Sequence, residues 1–227
     1  MIKTVPILLA ILYGFALYHF SAWRTRRDLN ARSTELMDPK LKPIIDQLGK
    51  ALEIDRIRVH IYEINAVNGL AAPDGRIFIT RGFYHKFQND EISSEEIGSV
   101  IAHELGHVAL GHTRRRMIDF CGQNALRTTL AMILSRFIPG LGGWIANGLT
   151  TLLAARLSRS DEYEADAYAA ALLIKAEIGI GPQVTLLKKL NDLTQQHAGA
   201  VPAWLLSHPK TSKRIETIEK LVAHWQA

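Results

Sequence analysis

The chain has 227 residues, 48% of them hydrophobic and 22% charged, a composition that fits one folded domain with or without an appendage and excludes overall disorder. Its single cysteine, Cys121, excludes an internal disulfide framework. The formal net charge is +5, but the basic residues fall in short clusters and do not line an aromatic-rich strand or a recognition helix, so we predict no nucleic-acid partner.

The amino-terminal residues 4–23 contain no Lys, Arg, Asp or Glu. About 20 such residues are what a helix needs to span a bilayer, and Trp23 suits the membrane interface. A cleaved signal peptide would need a small residue where Phe20 stands, and a buried core helix is the other alternative. We therefore predict an uncleaved membrane anchor with a basic flank over residues 1–27, in contact with lipid, and a folded domain over residues 28–227.

The orientation of this anchor follows from the charges on its two sides. Four arginines lie within nine residues after the apolar stretch, against Lys3 and the amino terminus before it. The positive-inside rule then predicts a single-pass protein of the cell (inner) membrane with its folded domain on the cytoplasmic side. The periplasmic side is the alternative.

The next part of the chain alternates between helical and extended patterns. A helix is predicted after Asp38-Pro39, with apolar residues recurring at helical spacing. Extended stretches follow at residues 57–61, 65–72 and 76–81, the last two joined by a tight turn at Asp74-Gly75. These stretches predict a small sheet.

The central motif of the chain is His103-Glu104-Leu-Gly-His107. Residues four apart lie on one face of a helix, so His103 and His107 can direct both imidazoles at one point, which suits a tetrahedral zinc ion. Glu104 follows the first ligand and can act as general base on the attacking water. A helix is supported here by Ser93 and Glu96, which have the spacing of a capping box.

A third ligand must come from outside this motif. Metzincins carry a Gly seven and a His ten residues after the first histidine, and this chain has Leu110 and Thr113 there. Glu162 is the best candidate, since Asp166 lies one helical turn further on and can accept the free ring N–H of a zinc-bound histidine. His112 is the alternative ligand, while Glu164 points to roughly the opposite side of its helix.

Helical patterns fill the remainder of the chain. Residues 125–157 are mildly apolar, but Arg127, Arg136 and the Pro139-Gly140 break favour two helices folded over the cleft; a membrane hairpin is the alternative. Another helix is predicted from Ser160 as its N-cap, and a further one begins at Pro182. A final helix follows residues 207–209.

Three motifs in this order resemble a known protein family. They are the His-Glu-x-x-His motif, the stretch from Ser158 to Asp166 that contains Glu162, and His208-Pro209 followed by Arg214. They look like those of HtpX-type and CAAX prenyl protease-type zinc metallopeptidases, to which OMA-type and BepA-type peptidases are related. This chain is most similar to compact members with a single anchor.

The resemblance implies roles for several further residues. Residues 65–72 match the segment that forms an edge strand above the cleft, able to pair with a substrate backbone, and Asn68 within it is a candidate for substrate or site support. His208 takes the role of a second histidine near the metal, which stabilises the oxyanion or fills the open coordination position. Arg214 is expected to brace the site or bind substrate.

These patterns predict an α+β, mostly helical, zincin-like fold with a small antiparallel or mixed sheet and two metal-binding helices. The predicted function is that of a zinc metalloendopeptidase with one Zn²⁺ per chain. Its protein or peptide substrates would be misfolded or membrane-associated proteins, as in protein quality control.

Three alternative functions fit the sequence less well. A peptide deformylase takes its third ligand from a Cys ahead of the motif, but Cys121 follows it. An intramembrane protease would bury the motif in a spanning helix, whereas charged residues flank it here. A non-proteolytic, metal-stabilised chaperone or adaptor would not need the general base, and Glu104 is present.

Overall fold

A computed structural model describes residues 5–225, except residues 73, 113–114, 116–125, 128–129, 132–133, 135, 137, 139–140 and 197–210. Its backbone divides into two compact units. The first unit comprises Met1–Asn30 and His112–Ser160, and the second comprises Ala31–Gly111 and Asp161–Ala227. His208 and Cys121 lie outside the described residues, as do parts of the predicted 125–157 segment.

Helices form the described part of the first unit. Helix α1 spans Val5–Ala31 and contains most of the predicted anchor, whose first residues, 1–4, lie outside the described part. Within the described residues, no helix combines the length and apolarity needed to cross a bilayer. The prediction of a single-pass anchor is therefore not supported by the structure.

The second unit contains a four-stranded mixed sheet. Strand β1 spans Ser33–Glu35, β2 spans Val59–Tyr62, β3 spans Gly69–Ala71 and β4 spans Ile77–Thr80. Their order across the sheet is β1-β2-β4-β3, with β2 and β4 parallel and the two outer pairs antiparallel. The predicted small mixed sheet is confirmed. Strand β1 was not predicted, because three residues are too few for an alternating pattern to stand out.

One face of the sheet carries the hydrophobic core of this unit. Val59 and Ile61 of β2 and Ile77 and Ile79 of β4 are buried, as period-two alternation requires for one face of a sheet. They belong to the same buried cluster as the apolar residues of the surrounding helices. Strand β3 lies at the edge, and no other strand in the described ranges pairs with its outer side.

Helix α4, Ser94–Ala109, runs through the centre of this unit. Before it, α2 spans Lys42–Ala51 and α3 spans Arg81–Gln88. The predicted capping box is present, since Ser93 Oγ accepts a hydrogen bond from the Glu96 N–H and the Glu96 carboxylate accepts one from the Ser93 N–H. Helix α4 packs against α2, β3 and a later helix, so residues 96–107 are all buried.

Three helices follow in the described residues. Helix α5 spans Gly142–Lys175, α6 spans Gly181–Gln196 and α7 spans Thr211–Trp225. The starts of α6 and α7 agree with the sequence patterns, but the predicted N-cap at Ser160 is wrong, because α5 runs through this position without interruption. Residues 143–175 contain no proline to remove a helical hydrogen bond, so nothing in that stretch forces the helix to end.

Candidate metal centre

Two helices of the second unit bring three metal-binding side chains together. His103 and His107 project from α4, and Glu162 projects from the part of α5 that belongs to this unit. One ligand atom from each of the three lies within 4.8 Å of the other two, and all three residues are buried. His112, the alternative ligand, is not a member of this group.

The distances within the group fit a tetrahedral zinc ion. Nε2 of His103 lies 3.5 Å from Glu162 Oε2, and Nε2 of His107 lies 3.4 Å from Glu162 Oε1. Ligands about 2.0–2.1 Å from a tetrahedral centre are separated by about 3.3–3.4 Å, so each imidazole lies at about this ligand spacing from one oxygen of the Glu162 carboxylate. Two imidazoles and one carboxylate are also a donor set that zinc takes in hydrolytic enzymes.

The close approach of α4 and α5 depends on Gly106. A methyl group at this position would lie 3.1 Å from both Cα and the carbonyl oxygen of Ala165 and 3.2 Å from Cβ of Tyr168. Gly106 sits between Glu104 and His107, so the two helices approach each other closely beside the ligands. A larger side chain here would separate the histidines from Glu162.

We expect Gly106→Val to weaken zinc binding and to destabilise the protein by about 1–3 kcal/mol, the usual cost of overpacking. Gly106→Ala should have a smaller effect, because its methyl group requires shifts of only a few tenths of an ångström. Zinc titration and urea unfolding of both variants would test this. Equal zinc affinity in the Val variant and the native chain would contradict it.

Asp166 and Arg214 lie directly behind the first histidine. Nδ1 of His103 is 3.0 Å from Asp166 Oδ1, which leaves Nε2 directed toward Glu162. Arg214, on α7, donates two hydrogen bonds to the Asp166 carboxylate, at 2.6 and 2.7 Å. Its Nη1 lies 3.7 Å from Glu162 Oε2. Arg214 is only 1% exposed, so this bidentate pair is shielded from solvent.

The charges of these groups shift their pKa values strongly. Burial alone would lower the pKa of His103, but Asp166 and Glu162 outweigh it and raise the pKa to about 9. Burial would raise the pKa of Asp166, but Arg214 and His103 hold it well below its usual range. Asp166 is therefore ionised at neutral pH, in the form that accepts a hydrogen bond from an imidazole.

The charge balance also favours a divalent cation. Glu104, Glu162 and Asp166 are each 2% exposed, and among the described residues the guanidinium of Arg214 faces all three carboxylates. With both histidines in the neutral form that binds a metal, the three carboxylates and the guanidinium carry a formal charge of −2. Buried charge is costly unless it is compensated, and one Zn²⁺ would compensate it fully.

Strand β3 passes close to Glu104. A methyl group on Gly69 would come within 2.7 Å of Val100 Cγ1 and 3.2 Å of Glu104 Oε1. The start of β3 is held by Asn68, whose backbone N–H donates to Thr80 Oγ1 and whose carbonyl oxygen accepts from the Thr80 N–H, both at 3.0 Å. The edge strand is thus placed directly beside the residue predicted to act as base.

One buried residue near the site had no signal in the sequence. Gln183, at the start of α6, is 4% exposed and donates a hydrogen bond from Nε2 to the Asp166 carbonyl oxygen at 3.2 Å. A glutamine in the first turn of a helix is ordinarily solvated, so nothing in its local pattern indicated this contact. Glu164 is exposed, as its position on the helix predicted.

A buried helix that carries His-Glu-x-x-His, a small mixed sheet beside it and a glutamate from a second helix together define a zincin-type metallopeptidase. The sequence agrees, since the model of peptidase family M48 matches residues 35–222. The chain therefore belongs to peptidase family M48, which confirms the resemblance seen in its motifs.

Individual relatives agree with this family. The chain is 28% identical to metalloprotease LoiP of Escherichia coli strain K12 over 180 residues, which cover 79% of this chain and 68% of LoiP. It is 26% identical to the beta-barrel assembly-enhancing protease of Yersinia pestis over 207 residues, 83% of this chain and 40% of that protein. It is 25% identical to human mitochondrial metalloendopeptidase OMA1 over 171 residues, 72% of this chain, and spans about a third of OMA1 (32%).

Proposed function

We propose that this protein is a zinc-dependent metalloendopeptidase, with one zinc ion per chain held by His103, His107 and Glu162. The observation that carries the proposal is the placement of both Nε2 atoms 3.4–3.5 Å from the two oxygens of one buried carboxylate. Bound zinc supplies a Lewis acid for the scissile carbonyl and lowers the pKa of a coordinated water to about 7.

Glu104 is the residue proposed to move protons. It follows His103 on α4, is 2% exposed and faces the edge strand at Gly69. A carboxylate in this position accepts the proton of the attacking water and returns it to the departing amine. His208, which lies outside the described residues, is proposed on the resemblance of its motif to stabilise the oxyanion.

Asp166 and Arg214 are proposed as positioning residues. The Asp166 carboxylate fixes the ring of His103 through Nδ1, and a carboxylate partner of this kind raises the basicity of a ligating histidine. Arg214 in turn fixes Asp166 through two hydrogen bonds, so that one rotamer of the carboxylate is favoured.

The proposed substrates are extended segments of polypeptide, as exposed in misfolded proteins. The support is the position of β3, an edge strand beside Glu104, because a strand with a free side can pair with a substrate through backbone hydrogen bonds. Such pairing depends little on side chains. It suits a protease of protein quality control that cleaves many sequences, with Asn68 proposed to support the first residues of the strand.

Removal of the metal tests this function. We expect a chelator such as 1,10-phenanthroline to abolish the degradation of unfolded casein, and stoichiometric Zn²⁺ to restore it. The reason is that none of the side chains His103, His107 and Glu162 can replace zinc as a Lewis acid. Metal analysis of each sample would accompany the gel assay. Degradation that continues in a sample shown to be free of metal would refute the proposal.

A further inference from the structure

The formal charges are divided unequally between the two units. The first unit, residues 1–30 and 112–160, contains eleven Lys and Arg residues and two Asp residues, and so carries +9. The whole chain carries +5, so the second unit, which holds the candidate metal centre, carries −4. The basic character of this protein thus belongs to the unit that contains no residue of the candidate metal centre.

The first unit also exposes large apolar side chains around the start of α5. Trp144 is 79% exposed, Leu141 57%, Ile138 41% and Ile145 40%. Leu141 and Ile145 are joined by a helical hydrogen bond, and Trp144 lies three residues after Leu141, so these three share one helical face. We call Ile138, Leu141, Trp144 and Ile145 the apolar tip.

Cationic side chains accompany the apolar tip. Arg127 and Arg136 are both exposed, and Arg127 donates a hydrogen bond to Asn147 Oδ1, one turn beyond the tip, at 3.5 Å. The sequence has no Asp or Glu between Asp119 and Asp161, so no acidic residue in that stretch offsets them. Apolar and cationic groups are therefore presented together.

Helix α1 of the same unit repeats this combination. Phe15, Phe20 and Trp23 are each more than half exposed, and the guanidinium of Arg27 lies 5.3 Å from the centre of the Trp23 ring. Soluble proteins rarely expose large apolar side chains in groups of this kind unless the surface binds a partner. Trp and Arg side by side are typical of segments that lie at the membrane–water interface.

We propose that the apolar tip docks into the headgroup region of an anionic lipid bilayer, with Trp144 inserted and Arg127 and Arg136 bound to lipid phosphates. Charge complementarity selects an anionic surface, and the exposed indole and aliphatic groups select lipid over nucleic acid, whose phosphates need no apolar contact. This docking is interfacial and does not require a spanning helix. It is independent of the proposed proteolytic activity.

Tryptophan quenching by brominated lipids tests this proposal on the full-length chain. Vesicles of brominated phosphatidylcholine and phosphatidylglycerol should quench the tryptophan fluorescence of the native protein. Trp144→Phe should remove a measurable share of that quenching. Trp225→Phe is the matched control, because Trp225 is also exposed (46%) but lies on α7 of the second unit. Arg127→Gln and Arg136→Gln should each lower the vesicle affinity about fivefold.

Three results would overturn the proposal. The first is quenching of Trp144→Phe equal to that of the native protein, which would place Trp144 away from lipid. The second is equal quenching of Trp144 by vesicles of brominated phosphatidylcholine alone, which would remove the role of charge. The third is that RNA or an acidic protein protects the fluorescence of Trp144 from quenching by acrylamide, whereas anionic vesicles do not.

Discussion

Glu104→Gln should lower the rate of casein hydrolysis by a factor of about 10²–10⁴, the range expected for loss of a general base. Glutamine has nearly the same shape as glutamate but cannot accept the proton of the attacking water. Zinc should still bind, because His103, His107 and Glu162 are unchanged. The rate and the zinc content of purified protein should be measured on the same samples.

Glu164→Gln is the matched control for this substitution. Glu164 is an exposed carboxylate on α5, close in sequence to Glu162, so the same chemical change there should leave the rate unaltered. Full hydrolysis by Glu104→Gln, or an equal loss in both variants, would remove Glu104 from the proposed mechanism. Loss of zinc from Glu104→Gln would assign the residue to the ligand set instead.

Arg214→Met should lower both stability and zinc affinity. It removes the partner of a carboxylate that is 2% exposed, and breaking a buried ion pair in this way typically costs about 3–5 kcal/mol of unfolding free energy. Asp166 would also lose its fixed orientation toward His103, and removal of such support typically weakens metal binding about 10–100-fold. Urea unfolding and competition with a zinc-binding dye would measure the two effects.

The neighbouring Lys213 supplies the control for Arg214. Lys213→Met removes an exposed cation from the same turn of α7 and should change neither quantity by more than a few tenths of a kcal/mol. Asp166→Asn combined with Arg214→Met should recover part of the lost stability, since the amide leaves no uncompensated charge. Normal stability and zinc affinity in Arg214→Met alone would show that the buried pair does not support the site.

Features set by local spacing were the ones that could be predicted. The helical repeat alone places His103 and His107 on one face, and Ser93 and Glu96 are close enough in the chain to specify the start of α4. The pairing of Glu162 with Asp166 on one face follows from the same repeat. Such arguments need no knowledge of how distant segments pack.

Features set by packing between distant segments could not be predicted. The guanidinium of Arg214 reaches Asp166 only because α7 packs on α6, and α6 on α4, which no local pattern specifies. The tight fits at Gly69 and Gly106 likewise appear only when a strand or helix is placed against α4. The uninterrupted course of α5 was missed since a serine at 160 is acceptable both as an N-cap and within a helix.

The dependence of the site on α7 has a consequence for biosynthesis. Residue 103 leaves the ribosome more than a hundred residues before residue 214, so the two imidazoles exist long before the guanidinium that compensates Asp166. Until then the carboxylate of Asp166 lacks its guanidinium partner and is not held toward His103. We therefore expect a chain that ends before α7 to bind zinc more weakly, for the same reason as Arg214→Met.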